Sequence, residues 1–247
     1  VISQAFSGIS SLIYMIIRYP ILKTRKKDYE WDSWFAWQHL RIGLPMALQF
    51  SITAIGVVIL QGALNIFGPV KIAAYTAAQK VEQLIAVAAG TFGVTMANYT
   101  GQNLGARQID RIREGTNKCA FLTVAFSLAS MIIALLFGGQ LTGLFVNDNA
   151  TEVIVAAKEY LYITSVFYPF LFLIFVYRNV LQSMGKGFMP LMAGVFELVT
   201  RTIAAYVLPM VMGYAGICLA GPLAWISAAV PLLIAYLVII RRFKLVE

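Results

Sequence analysis

Glu197 and Arg201 stand four residues apart in "PLMAGVFELVTRTIAAYVLPM", with the acid on the N-terminal side. That spacing and order place an ion pair on one helical face. The surrounding residues are apolar, and a charge in the middle of a lipid-embedded helix costs about 2.5–3.5 kcal/mol on insertion scales. The pair is therefore either a neutralised burial or a place where an ion is exchanged. A second apolar segment, "KIAAYTAAQKVEQLIAVAAGTFGV", carries Thr76, Gln79, Lys80 and Gln83 at helical spacing, with Glu82 beside them. Lys80 and Glu82 are two positions apart and point in different directions, so each requires water or another helix. In "YRNVLQSMGKG", Arg178, Asn179 and Gln182 share one helical face. Gln49, Gln61 and Asn65 mark a further apolar segment that holds no acid at all. Glu197, Arg201, Glu82 and Lys80 are thus the candidates for ion coupling. Gln49, Gln61, Asn65, Thr76, Gln79, Gln83, Arg178, Asn179 and Gln182 are the candidates for a hydrated cavity wall.

These residue types bind and exchange ions, but they do not make a catalytic set. His39 is the single histidine, and no aspartate lies within the apolar segments. Cys119 and Cys218 are the two cysteines, and no metal-ligand spacing occurs. The expectation is a protein that is not an enzyme and holds no metal or organic cofactor.

The elements that position these groups follow from composition. Only 12% of the 247 residues are charged and 60% are hydrophobic, and the mean hydropathy is +0.78. A soluble domain carries roughly twice that charge. The apolar runs predict an all-α integral membrane protein with spans at about 40–66, 70–98, 117–146, 154–184, 188–212 and 216–240. Pro45, Pro169, Pro209, Pro222 and Pro231 fall inside these spans, where each predicts a kink. The nine methionines and sixteen phenylalanines lie mostly in the spans, where most face lipid or packing partners.

Basic residues orient the spans. Lys23, Arg25, Lys26, Lys27, Arg41, Arg107, Arg111, Arg113, Lys118, Lys186, Arg241, Arg242 and Lys244 lie on one side, 13 of the 19 in the chain. The other side offers Lys71, Lys158 and the acidic "NDNATE". The positive-inside bias makes the first side cytoplasmic, with the C-terminus there. The same bias accounts for the net charge of +8 without nucleic acid as a partner. Residues 1–19 read as the end of a preceding membrane helix. Residues 20–39 read as a cytoplasmic linker in which Trp31, Trp34 and Trp37 mark an interfacial helix. Residues 40–247 form the six-helix unit.

Between the second and third spans the chain turns polar: "GQNLGARQIDRIREG". Gly101 and Gly105 suit a tight turn, and Gln102 and Asn103 suit backbone groups left free at helix ends, with Ala106 closing the turn. Asp110 and Glu114 have Arg107 and Arg111, respectively, three positions away. No Walker lysine follows the glycines, which excludes a phosphate loop of that kind.

This stretch resembles the cytoplasmic loop of multidrug and toxic compound extrusion (MATE) transporters. "GLPMALQF", "GALNIFG", "IAAYTAAQKVEQL", "YRNVLQSMGKGFMPLMAGVFELVTR" and "GPLAWISAAVPLLIAY" extend the resemblance, in order, over nearly the whole chain. It implies an exporter of twelve helices in two six-helix lobes. Drugs or other organic, often cationic, compounds leave from a central cleft in exchange for protons or sodium. The chain is similar to the C-terminal lobe plus the end of the sixth helix, which makes the N-terminal lobe the missing partner, alongside membrane lipid and a small-molecule substrate. A bacterial cytoplasmic (inner) membrane is the implied location. Two departures bear on coupling. Some branches carry an acid in the helix corresponding to 40–66, which has none here. Others carry one in the fourth helix of the lobe, where Glu159 alone lies, near the outer end. The rival readings are a lipid-linked oligosaccharide flippase, which needs a more cationic cavity than Lys80, Arg178 and Arg201 supply, and a lobe inactive on its own.

Overall fold

The computed structural model describes residues 2–22, 29–146 and 151–244. Lys23, Arg25, Lys26 and Lys27 of the basic linker, and most of "NDNATE", lie outside the described residues. The chain forms two compact units, residues 1–41 and 42–247. The first holds helix α1 (Ile2–Arg18), a 3-10 turn at Pro20–Leu22 and the start of α2 (Ser33–Leu64). Asp32 caps that start, its carboxylate accepting from the backbone N–H of Trp34 at 2.9 Å and of Phe35 at 3.1 Å. Trp31 precedes the helix and donates from its indole to Ser33 Oγ at 3.0 Å. The three tryptophans are exposed. Helix α2 is continuous from Ser33, so residues 33–39 share one helix with the first span rather than forming a separate interfacial one.

The second unit continues with α3 (Gly68–Gly105), α4 (Ile109–Gly143), α5 (Thr151–Ser165), α6 (Tyr168–Ser183), α7 (Phe188–Met212) and α8 (Tyr214–Lys244). Among the described residues, four helical stretches are long and apolar enough to cross a membrane, and the bent pair α5–α6 makes a fifth. The first stretch, Ser33–Gly105, is 73 residues long. At 1.5 Å per residue it would reach about 110 Å, several times a hydrocarbon core of about 30 Å. A 3-10 turn at Asn65–Phe67 and Gly68, whose φ is 77°, break it into two crossings. Among the described residues this gives six candidate crossings by length and composition.

Side-chain contacts fix their directions. Leu60 shares a cluster with Tyr75, and α2 and α3 run antiparallel. Tyr99 meets Gly115 and Phe92 meets Phe126, so α4 returns along α3. Tyr75 meets Tyr160 and Gly93 meets Asn179, so α5–α6 runs parallel to α3. Gly187, Gly194 and Gly56 bring α7 alongside α2 in parallel, at Pro45, Gln49 and Arg201. Alanines and glycines, among them Ala74, Ala78, Ala89, Ala157, Ala193, Ala224 and Ala228, supply the buried faces, the small-residue packing that lets helices approach in a membrane. Large apolar side chains point outward on every crossing.

Of the five prolines expected to kink the spans, Pro169 alone sits at a helix break. It is the second residue of α6, and α5 and α6 are bent by 54° across Val166 and Phe167. Helices α2, α7 and α8 continue through Pro45, Pro209, Pro222 and Pro231. The expected glycine turn also differs. Helix α3 runs through Gly101, Gln102, Asn103 and Gly105, and the reversal occupies Ala106–Gln108. The left-handed residue there is Arg107, with a φ of 57°. Asn103 is buried and donates to the Tyr99 carbonyl at 2.8 Å inside the helix rather than to the turn. Its own carbonyl accepts from the N–H of Gln108 at 2.8 Å, and the N–H of Ala106 reaches Gln102 O at 3.0 Å.

Candidate functional site

Two apolar clusters fill the six-helix unit. One gathers Met96, Ile112, Tyr177 and Tyr236 toward the end that carries the 106–108 turn. The other gathers Leu64, Tyr75, Val153 and Ile217 toward the opposite end. A cavity of about 190 Å³ lies between them, walled by α2, α3, α5, α6, α7 and α8. Its polar lining is Thr53, Tyr75, Gln79, Glu82, Tyr160, Arg178, Glu197 and Arg201, and Trp225 and Phe175 add aromatic faces. Residues of both halves of the bent α5–α6 pair line it, Tyr160 from α5 and Leu171, Ile174, Phe175 and Arg178 from α6.

Glu197 and Arg201 form the pair that their spacing predicts. Arg201 Nη2 donates to Glu197 Oε1 at 2.6 Å, and both residues are 5% exposed. The structure adds a second cation from another helix. Arg178 Nη2, on α6, reaches Glu197 Oε2 at 3.4 Å. One carboxylate thus takes two guanidinium groups, one on each oxygen. Gln49, fully buried on α2, lies 2.9 Å from the Gln182 amide. With its oxygen turned toward Arg178, it accepts from Nη1 and Nε at 3.0 Å each. The acid-free α2 therefore serves the cluster through an amide.

Glu82 stands apart from this trio. Its Oε2 accepts from the Tyr160 hydroxyl at 3.0 Å. Tyr160 in turn stacks edge-on against Tyr75, with ring centroids 5.0 Å apart. Gln79 donates to the Tyr75 hydroxyl at 2.8 Å. Tyr75, Gln79, Glu82 and Ala86 follow the i, i+4, i+7, i+11 rhythm of a helix face, and all four line the cavity.

The remaining candidates lie elsewhere. Thr76, Lys80 and Gln83 share a neighbouring face of α3 that is exposed. Lys80 is therefore not brought to Glu82 or to the arginines. Gln61 and Asn65 are exposed near the α2–α3 turn. Asn179 bonds the Phe175 carbonyl at 2.8 Å and packs on Gly93, so it serves the α3–α6 contact. At the end opposite the 106–108 turn, Lys71 bonds Glu159 at 3.4 Å and sits over the Tyr214 ring at 4.2 Å, tying α3, α5 and α8 together. Tyr160, Tyr75 and Trp225 are the lining residues that the polar pattern passes over. Their signal is the amphipathic aromatic itself, since a hydroxyl or indole buried in a span needs a partner.

The family model MatE matches residues 42–207. Over 129 residues the chain is 22% identical to the probable multidrug resistance protein YoeA of Bacillus subtilis, covering 52% of this chain and 28% of that one. Among solved structures it is similar to a MOP superfamily transporter from Pyrococcus furiosus, with a TM-score of 0.85 and 19% identity over 96% of this chain and 54% of that one. It is likewise similar to an outward-facing multidrug resistance MATE family transporter, with a TM-score of 0.86 and 19% identity over 95% and 54% of the two chains. The chain thus spans about half the length of these solved relatives.

Proposed function

The chain belongs to the MatE family of multidrug and toxic compound extrusion transporters, and from that premise we propose that it forms one lobe of an antiporter that exports organic, often cationic, compounds in exchange for protons or sodium. The observation that supports this most is the cavity in which Glu82 and Glu197 meet different partners. Glu197 is committed to two arginines. Glu82 accepts from one neutral hydroxyl, that of Tyr160, and lines the cavity. A group held that lightly can exchange a coupling cation for a substrate cation, and competition for one carboxylate is a direct form of antiport. Of the four coupling candidates, Glu82 is the one this arrangement favours.

The second lobe has a place in this reading. Thr76, Lys80 and Gln83 face outward from α3, and such a face is costly against lipid. It suits a hydrated cleft shared with the missing N-terminal lobe. The positive-inside count supports a cytoplasmic position for the 106–108 turn and the end of α8, and the family resemblance supports a bacterial inner membrane. A flippase for pyrophosphate-linked oligosaccharides fits less well, because Arg178 and Arg201 are both taken up by Glu197 and Lys80 lies off the cavity.

The test is reconstitution of the full-length protein in liposomes with ethidium as a cationic probe. A proton or sodium gradient drives ethidium movement in the parent. Glu82→Gln abolishes the gradient-driven component while ethidium still exchanges down its own gradient. Unchanged gradient-driven movement in Glu82→Gln defeats the assignment of Glu82.

A further inference from the structure

The outward faces of α3 and α4 differ in kind. Between Cys119 and Gly139 every exposed residue of α4 is apolar, and Thr123, Ser127 and Ser130 are buried. That is the arrangement lipid demands. Helix α3 instead exposes Lys80, Gln83 and Asn98, with Leu84, Val87 and Val94 between them. Among the described residues, none of these three polar side chains has a hydrogen bond or an ion pair. Thr76, Thr91 and Thr95 lie on the same face, but each donates to the carbonyl four residues back and so tolerates any surroundings. Lys80 lies about 14 Å further along α3 than Lys71 at 1.5 Å per residue, close to the middle of a hydrocarbon core of about 30 Å. An unpartnered ammonium at that depth is costly against lipid, so lipid is not what covers this face.

We infer that Lys80 selects solutes by charge number on a water-filled wall beside the cavity: an organic solute with one positive charge is admitted to Glu82, and one with two is held back. The wall and the cavity adjoin. Glu82, Gln79, Gln83 and Lys80 follow one another around α3, the first two lining the cavity and the last two exposed. The charged residues of α3 are Lys71, Lys80 and Glu82, and of these Lys80 alone lies on the exposed face. Glu82 attracts a cation from the cavity side, and Lys80 opposes it from the adjoining side. Leu84, Val87 and Val94 offer apolar surface to the body of such a solute. At about 6 Å in a water-filled cleft, the Lys80 charge changes occupancy about threefold for each unit of solute charge. The inference rests on the export reading, in which the cleft brings solutes along α3 to Glu82.

The first experiment reads the local potential without transport. In a cysteine-free form of the full-length protein in membranes, Gln83→Cys is reacted with two methanethiosulfonate reagents, one bearing a sulfonate and one a trimethylammonium. Both react. The reagents differ by two units of charge, so Lys80 raises the anionic rate relative to the cationic rate by about tenfold over Lys80→Gln at low salt. Lys80→Arg keeps the ratio. Leu136→Cys, on the outer face of α4, reacts with neither reagent. Gln83→Cys reacting no faster than Leu136→Cys, or a ratio that Lys80→Gln leaves unchanged, overturns the inference. The second experiment compares propidium, with two positive charges, against ethidium, with one, in the reconstituted liposomes. Lys80→Gln raises propidium movement relative to ethidium by about threefold. If ethidium moves on the gradient and that ratio stays at its parent value, selection by Lys80 is overturned while export stands. If the reagent rates hold but the parent moves no ethidium on a gradient, the export reading falls and the charged, hydrated wall stands.

Discussion

The Tyr99 ring lies against the bare Cα of Gly115, and its hydroxyl donates to the Arg111 carbonyl at 3.1 Å. The contact joins the last turns of α3 to the first turns of α4, across the polar stretch that looks like a glycine turn in the sequence. An added Cβ at Gly115 overlaps the ring, whereas at Gly101 or Gly105 it meets nothing within 4 Å. Gly115→Ala therefore pushes Tyr99 off Arg111 and costs about 1 kcal/mol. Gly105→Ala is neutral or stabilising by up to about 0.5–1 kcal/mol, because a helical glycine gains from a methyl group where space allows. Melting in detergent distinguishes them: the midpoint falls for Gly115→Ala and not for Gly105→Ala. The reverse order means the joint is held some other way.

Arg107 makes the reversal with a φ of 57°. A left-handed conformation costs an L-residue roughly 1–2 kcal/mol. Arg107→Gly relieves that strain and raises or preserves the melting midpoint. Arg107→Val, with a β-branched side chain in the same conformation, lowers it. Equal midpoints for the two variants contradict the assigned geometry of the turn.

Much of this fold is legible in the sequence because membrane crossing demands length and apolarity, and both can be read residue by residue. The six spans follow from the length of the apolar runs, and the same-face placement of Glu197 and Arg201 from helical period. Pairing between helices does not. Arg178 lies 19 positions from Glu197, and Tyr160 lies 78 positions from Glu82; no local rhythm connects them. The α3 stripe shows where periodicity misleads. Thr76, Gln79, Lys80 and Gln83 look like one polar face, yet Gln79 turns in with Tyr75 and Glu82 while the other three turn out. The boundary between inward and outward is set by which neighbour packs there, and α5 supplies that neighbour through Tyr160. The polar turn misleads differently. Glycines signal freedom to turn, but the helix runs on to Gly105 with Asn103 bound to the Tyr99 carbonyl inside it.

The Glu197 cluster makes a prediction about stability that is separate from transport. Glu197 and Arg201 have side chains 7% exposed, and Arg178 completes the charge pattern. Removing one member of a buried pair strands the other, at about 3–5 kcal/mol. Glu197→Leu strands two arginines and is the most damaging single change. Glu197→Leu/Arg201→Met removes a matched pair and recovers part of the loss. Measured as a double-mutant cycle in detergent, the coupling energy is large and the double variant is more stable than Glu197→Leu. Additive losses show that the two residues do not depend on one another.

The Tyr160–Glu82 contact separates the local role of Glu82 from that of the arginine cluster. The hydroxyl donates to Oε2 at 3.0 Å, and the ring is held by Tyr75. Tyr160→Phe keeps the ring and its packing but deletes one donor, so the fold survives with a loss of about 1 kcal/mol. Glu82 then faces the cavity with no hydroxyl of α5 to orient it. If Glu82 exchanges the coupling cation, Tyr160→Phe changes the pH or sodium concentration at which ethidium movement is half-maximal and leaves the Glu197 coupling energy untouched. If Glu82 merely packs, Tyr160→Phe lowers the melting midpoint slightly and the half-maximal point stays where it is. Reconstituted vesicles titrated over pH, at fixed sodium and then over sodium at fixed pH, read the difference. The ion whose titration moves is the one that Glu82 binds.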